Sequence, residues 1–183
     1  MFPRQVEGAS LTISGVPKEY HGGISRTMAA RKVADIDVLT ATAEDLRKEL
    51  EDGTITTLEL AELYTHQIDL HNHTGLHLNA MISLAPQDQL HNQAVALDKE
   101  RAEGKIRGPL HGIPVILKDN IMTETSLGMD TTCGSLALKG VKVKANAPIV
   151  DLLLDAGMLI LGKSNLSVGA ILTLHSTGTH YIL

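Results

Sequence analysis

Apolar and polar positions follow two rhythms along the chain, one of about three to four residues and one of two, with capping and turn residues between them. In "TAEDLRKELEDG" Leu46 and Leu50 lie one helical turn apart and Gly53 supplies a stop, which predicts a first helix. "TTLELAELYTHQIDLH" predicts a second, with Thr56 and Glu59 at capping-box spacing and Leu60, Leu63, Tyr64 and Ile68 as its apolar stripe. "LNAMISL", residues 78–84, reads as a strand, and "APQDQLHNQAVALDKERAEG" as a helix with Leu90, Ala94 and Leu97 on one face and Gly104 at its end. After the turn-rich "RGPLHGIP" comes the strand "PVILKD", and the strand–helix–strand order over 78–118 predicts a parallel βαβ unit. "NAPIVDLLLDAG" predicts a helix capped by Asn146, with Pro148 in its first turn and Gly157 just past its end, and "MLILGK" the next strand. Residues 1–38 hold Gly8, Gly15, Gly22, Gly23, Pro3 and Pro17 without sustained periodicity and are expected to form an irregular surface extension, leaving 39–183 as one domain. The alternation of elements predicts an α/β fold, a sheet covered by helices with functional groups at strand ends.

Composition narrows the classes of function. With 183 residues, 43% hydrophobic and 20% charged, the sequence fits a soluble globular domain with a sizeable core. A net charge of -5 and an aromatic content of 2% argue against a nucleic-acid partner, because phosphate binding needs clustered cations and base stacking needs rings. No stretch reaches the ~18 apolar residues of a membrane span, so no membrane partner is expected. The single cysteine, Cys133, cannot close an internal disulfide, and a cytoplasmic location is the default expectation. The basic, acid-free "ISRTMAARKVA" is either a loose leader or an organellar address.

The candidate chemistry starts at Lys118, which closes the apolar run of "GPLHGIPVILKDNI". Side chains alternate along a strand, so Lys118 shares a face with Ile116 while Val115 and Leu117 point the other way, and both faces are expected to be buried near it. Two readings are open at this point. Burial disfavours the charged amine and would make Lys118 a neutral base, or Lys118 pairs with Asp119 or another acid at the mouth of the sheet.

The stretches "GPLHGIPVILKDNI" and "GMLILGKSNLS", with "TTCGSLALKG" between them, resemble the N-terminal part of the amidase signature family, especially its fungal members. The segments "LNAMISLAPQDQLHNQAVALDKERAEGKIRGPLHG" and "TAEDLRKELEDGTITTLELAELYTHQI" follow the same pattern, and the resemblance covers roughly residues 40–167. It implies an α/β/α core with a mixed sheet flanked by helices. It also implies hydrolysis of carboxylic amide C–N bonds in small-molecule substrates by a Ser, cis-Ser, Lys triad, with no cofactor and no metal. By position Lys118 is the triad lysine, the terminal base, while Asp119 and Asn120 fix the turn after the strand. The loop holding Met129, Thr131, Thr132, Cys133 and Gly134 corresponds to one that borders the substrate channel in the family, although an ordinary polar loop is an equal reading.

The sequence departs from the family where the two serines and the oxyanion donors are expected. The family's Gly/Ser-rich segment follows its second motif, whereas here Val168 follows Ser167 and the chain continues "GAILTLHSTGTHYIL". Ser176 with His175 or His180 is a poor substitute, because neighbouring residues of an extended chain point apart and the lone Gly178 does not replace the glycine-rich segment that would offer oxyanion donors. The expectation is a truncated core, a fragment or shortened form inactive alone, with self-association through an exposed sheet edge. The alternative is a degenerate, non-catalytic binding or interaction protein. A transamidase component feeding ammonia to a synthetase would need the same serines. His66, His71, His73 and His77 invite a metal, but their spacing fits no single helical face and reads as a polar surface turn; His111 is expected to shape the turn before the second strand.

Overall fold

The computed structural model describes residues 36–166, which lie in the second of the two units into which the chain divides, Lys32–Leu183. The expected extension over 1–38 falls almost entirely outside the described residues, as do Val168, His175, Ser176 and His180. Helix α1, Ala43–Glu51, starts at Thr42, whose hydroxyl accepts from the Asp45 amide while the Asp45 carboxylate takes the Thr42 amide. Helix α2, Thr57–His71, repeats this device with Thr56 and Glu59, each cap being worth about 1 kcal/mol. Asp98 of helix α3, Gln87–Ala102, accepts from the Thr57 and Leu58 amides at 2.7 and 3.1 Å, so α3 satisfies donors that open the neighbouring helix.

Strands β1 (Met81–Leu84), β2 (Pro114–Lys118) and β3 (Leu159–Ser164) form a sheet in the order β1-β3-β2, with helix α4, Pro148–Asp155, between β2 and β3 in sequence. The sheet is mixed: β1 runs antiparallel to β3 and β2 parallel to it. The parallel unit expected over 78–118 is therefore absent, since β1 and β2 run in opposite directions; the parallel pair is β2 and β3, joined through α4. The continuous apolar run of β3 makes it the central strand, and apolar periodicity reports burial without direction. β1 is shorter than expected because His77 and Asn79 have φ of 52° and 48°, a left-handed backbone that ends the extended run before Met81. The outer edge of β1 is covered at Met81 by the Asn72 amide, which donates to the Met81 carbonyl at 3.0 Å and accepts from its N–H at 2.9 Å. Asn146 does not cap α4: it accepts from the Glu124 amide at 2.6 Å and donates to Asp151 at 2.8 Å, and Ala147 holds the cap position.

Core packing divides over the two faces of the sheet. Leu159 and Leu161 pack with Ala61, Leu90, Ala94 and Leu97 of α2 and α3. On the other face Ile160 packs with Leu117, Met129 and Val150. A third cluster of Leu46, Leu50, Ile55, Leu60 and Ile113 joins α1 to α2. His111 is buried in the turn before β2, its Nε2 3.0 Å from the Leu97 carbonyl, and Arg101 donates to the His111 carbonyl at 2.6 Å.

One irregularity in β3 decides the geometry of the strand ends. Val115 is opposite Ile160 and Ile116 opposite Gly162, so Leu161 has no partner in β2, and beyond this slip Leu117 pairs with Lys163. Strict alternation would put Lys163 on the α2 and α3 side with Leu159 and Leu161. The slip turns it onto the face of Leu117 and Ile160. Gly162 permits this, because a Cβ there would run into the Ser83 carbonyl oxygen and lie 3.0 Å from the Leu84 Cα of β1.

Candidate active site

The parallel strands β2 and β3 end side by side, with Lys118 opposite Ser164 and the Asp119 amide donating to the Ser164 carbonyl at 3.1 Å. Carboxyl ends of parallel strands are where α/β sheets place ligand sites. Lys118 is exposed, and its Nζ donates to the Asn165 carbonyl at 2.7 Å. Asn165 is itself fixed, its N–H donating to the Ala80 carbonyl at 2.7 Å and its side-chain amide to the Asn79 carbonyl at 3.2 Å. The expectation that both faces are buried around Lys118 is corrected: Ile116, on the same face, is 43% exposed while Leu117 is 3% exposed. Among the described residues β2 is an edge strand, and its Val115 and Leu117 face is the covered one.

Asp119 is not an ion-pair partner of Lys118. Its side chain is fully buried, and one or both carboxylate oxygens accept from the Thr132 amide (3.2 and 3.3 Å), the Thr132 hydroxyl (2.5 Å) and the Gly134 amide (3.1 Å). The Cys133 amide donates to the Asp119 carbonyl at 3.4 Å. The segment 132–134 is thus wound around one carboxylate. Cys133 and Gly134 have φ of 51° and 74°, and a left-handed backbone at a non-glycine residue costs about 1–2 kcal/mol, which the Asp119 hydrogen bonds offset.

Beneath this turn lies a second lysine. Lys163 is fully buried, and its Nζ donates to the Ile121 carbonyl at 2.5 Å and the Thr131 hydroxyl at 3.1 Å. Burial pulls its ammonium below the ordinary lysine value, and the Asp119 carboxylate and Cys133 act in the opposite sense.

The expected substrate-loop residues divide in two. Met129 is buried in the core cluster of Leu117, Val150 and Ile160, and Thr131 is nearly buried against Lys163. Thr132 and Cys133 are half-buried and Gly134 is exposed, so these three form the accessible part around Asp119. Asn120 is exposed beside them, and the Ile121 amide closes the turn onto the Lys118 carbonyl at 2.9 Å. Sequence reasoning missed Lys163, although "MLILGK" carries the same signal as "PVILK", an apolar run closed by a lysine. Among the described residues no group of three or more His, Cys, Asp and Glu side chains could hold a metal ion, and His73 bonds Asn72 and Asn79 within the turn from α2 to β1. No helix among them is long and apolar enough to cross a membrane.

The Amidase family profile matches residues 59–180. A Schizosaccharomyces pombe relative, named only provisionally as an amidase, is 40% identical over 136 residues, 74% of this chain and 22% of its own length. Among solved structures, the peptide amidase of Stenotrophomonas maltophilia superposes with a TM-score of 0.65 at 40% identity, covering 70% of this chain and 25% of that one. An amidase family protein from Bacillus anthracis superposes with a TM-score of 0.64 at 34% identity, covering 71% of this chain and 25% of that one. The chain thus spans about a quarter of the length of the relatives it matches. It belongs to the amidase family.

Proposed function

We propose that this chain carries the lysine end of an amide-hydrolysing site, with Lys118 as the terminal base of a Ser, cis-Ser, Lys triad acting on small-molecule carboxylic amides. The observation that carries the reading is the placement of Lys118. Its amine stands solvent-accessible at the carboxyl end of β2, anchored on the Asn165 carbonyl at 2.7 Å with Asp119 engaged elsewhere. The accessible residues Thr132, Cys133 and Gly134 border the same strand ends and are assigned to substrate contact; Met129 and Thr131 support them from the core. In the triad the lysine receives a proton from the bridging serine as that serine takes one from the nucleophile, so the amine must be neutral to act. The 183 residues hold no Gly/Ser-rich segment to supply the two serines and the oxyanion donors, and loss of a nucleophile disables a triad that works as a unit. The chain by itself is therefore expected not to turn over amides.

Two assays test this. The purified 183-residue protein is incubated with simple carboxylic amides, where no turnover is expected; turnover that persists in Lys118→Ala would overturn the assignment. A chimera in which the matched residues replace the corresponding quarter of the S. maltophilia peptide amidase should hydrolyse that enzyme's substrates and lose at least 1000-fold in rate on Lys118→Ala, by analogy with other triads. A second reading, a non-catalytic interaction protein, is favoured by the exposed Ile116 on edge strand β2 and Ile82 on edge strand β1. Sedimentation velocity would support it if a wild-type dimer became monomeric on Ile116→Lys.

A further inference from the structure

Lys163 sits in the central strand with no exposed surface, and desolvating an amine is costly, so its presence calls for a partner set that an apolar residue could not satisfy. The stem alone does not require lysine, since methionine would fill nearly the same volume. The difference lies at Nζ, which spans two points ten residues apart in sequence, the Ile121 carbonyl and the Thr131 hydroxyl. Those residues bound the segment 122–130. Directly after Thr131, the Thr132 and Gly134 amides turn into the Asp119 carboxylate, with left-handed Cys133 between them. Lys163 thus grips the base of the segment and Asp119 grips its end. The Thr131 hydroxyl also accepts from the Thr123 amide at 3.2 Å, which draws a third residue of the segment into the same knot.

We propose that Lys163 is a positioning residue for the site: its amine, turned to this face by the register slip at Leu161, ties Ile121 to Thr131 and so holds the 132–134 turn closed on Asp119 beside Lys118. The proposal rests on the reading above in that the turn borders the reacting end of the strands only if Lys118 is the base. A lysine acting only as filler would be replaceable by Met without consequence for the turn. A lysine acting through its amine would not, because Met leaves the Ile121 carbonyl and the Thr131 hydroxyl without their shared donor.

The test is amide hydrogen exchange by NMR on the full 183-residue chain. Lys163→Met should unfold cooperatively yet lose tenfold or more of the protection at Thr132 and Gly134. The Ala85 and Leu159 amides, bonded to the Leu161 and Ile113 carbonyls in the sheet region, serve as internal standards and should not change. Wild-type protection at Thr132 and Gly134 in Lys163→Met would overturn the proposal. If that variant does not fold, Thr131→Val removes one acceptor while keeping the shape, and should lower protection of the same two amides several-fold; unchanged protection there would equally overturn it. Lys118→Ala should leave all four amides as in wild type, so failure of the triad-base assignment in the chimera and failure of the positioning role are read from separate experiments.

Discussion

β2 and β3 lie side by side, run the same way and each close an apolar run with a lysine, but the two lysines meet opposite surroundings. Lys118 ends a strand at the edge of the described sheet and emerges on a face where Ile116 is 43% exposed, whereas Lys163 is the penultimate residue of the central strand and is fully buried. One apolar run therefore delivers an amine to solvent and the other places one inside the protein, where it donates to a carbonyl and a hydroxyl. What separates them is position in the sheet and one slipped residue, and neither is a property of the run itself. The neighbouring strands, rather than the apolar stretch, decide whether the amine that closes it faces solvent or is buried.

The contrast can be broken by substitution, and the largest effects belong to the buried side. Asp119→Ala removes the acceptor of the Thr132 and Gly134 amides and a countercharge of Lys163, and should cost about 3 kcal/mol in urea unfolding. Gly162→Ala forces a Cβ against the β1 backbone and should cost about 2–3 kcal/mol by the same measurement, since backbone cannot yield as a side-chain tip does. A smaller effect follows from pH. Lys163 gives up its proton more readily in the folded chain than in the unfolded one, so between its lowered midpoint and 10.5 the unfolded state binds more protons. The burial cost is fully present below that midpoint and recedes as pH rises towards 10.5. Parallel urea titrations at rising pH should show wild type gaining stability relative to Lys163→Met, and a difference that stays flat would contradict the burial. On the exposed side, Ile116→Thr and Lys118→Met should each change stability by less than about 0.5 kcal/mol.

Much of the frame was legible because it is written in local chemistry. Thr42 and Thr56 mark helix starts through side-chain oxygens that reach their own third residues, and the apolar run of β3 signals a strand covered on both faces. Strand direction was not legible: periodicity of two is the same in parallel and antiparallel pairs, so it points to β1 beside β2 rather than antiparallel to β3. Asn146 has the composition of a cap but bonds Glu124 and Asp151, because a distant amide competes for its oxygen. The site divided in the same way. Lys118 stood out through its motif, while Lys163 was hidden because alternation assigns it to the wrong face and the slip that corrects this arises only when three strands are in register.

The contrast between the two amines is tested most directly by lysine-resolved acylation of the native 183-residue chain with a water-soluble N-hydroxysuccinimide ester, quantified by peptide mass spectrometry. Lys118 should be modified in the folded chain, while Lys163 stays unmodified until the protein is unfolded in urea. Modification of Lys163 in the folded chain at a rate comparable to Lys118 would contradict this contrast.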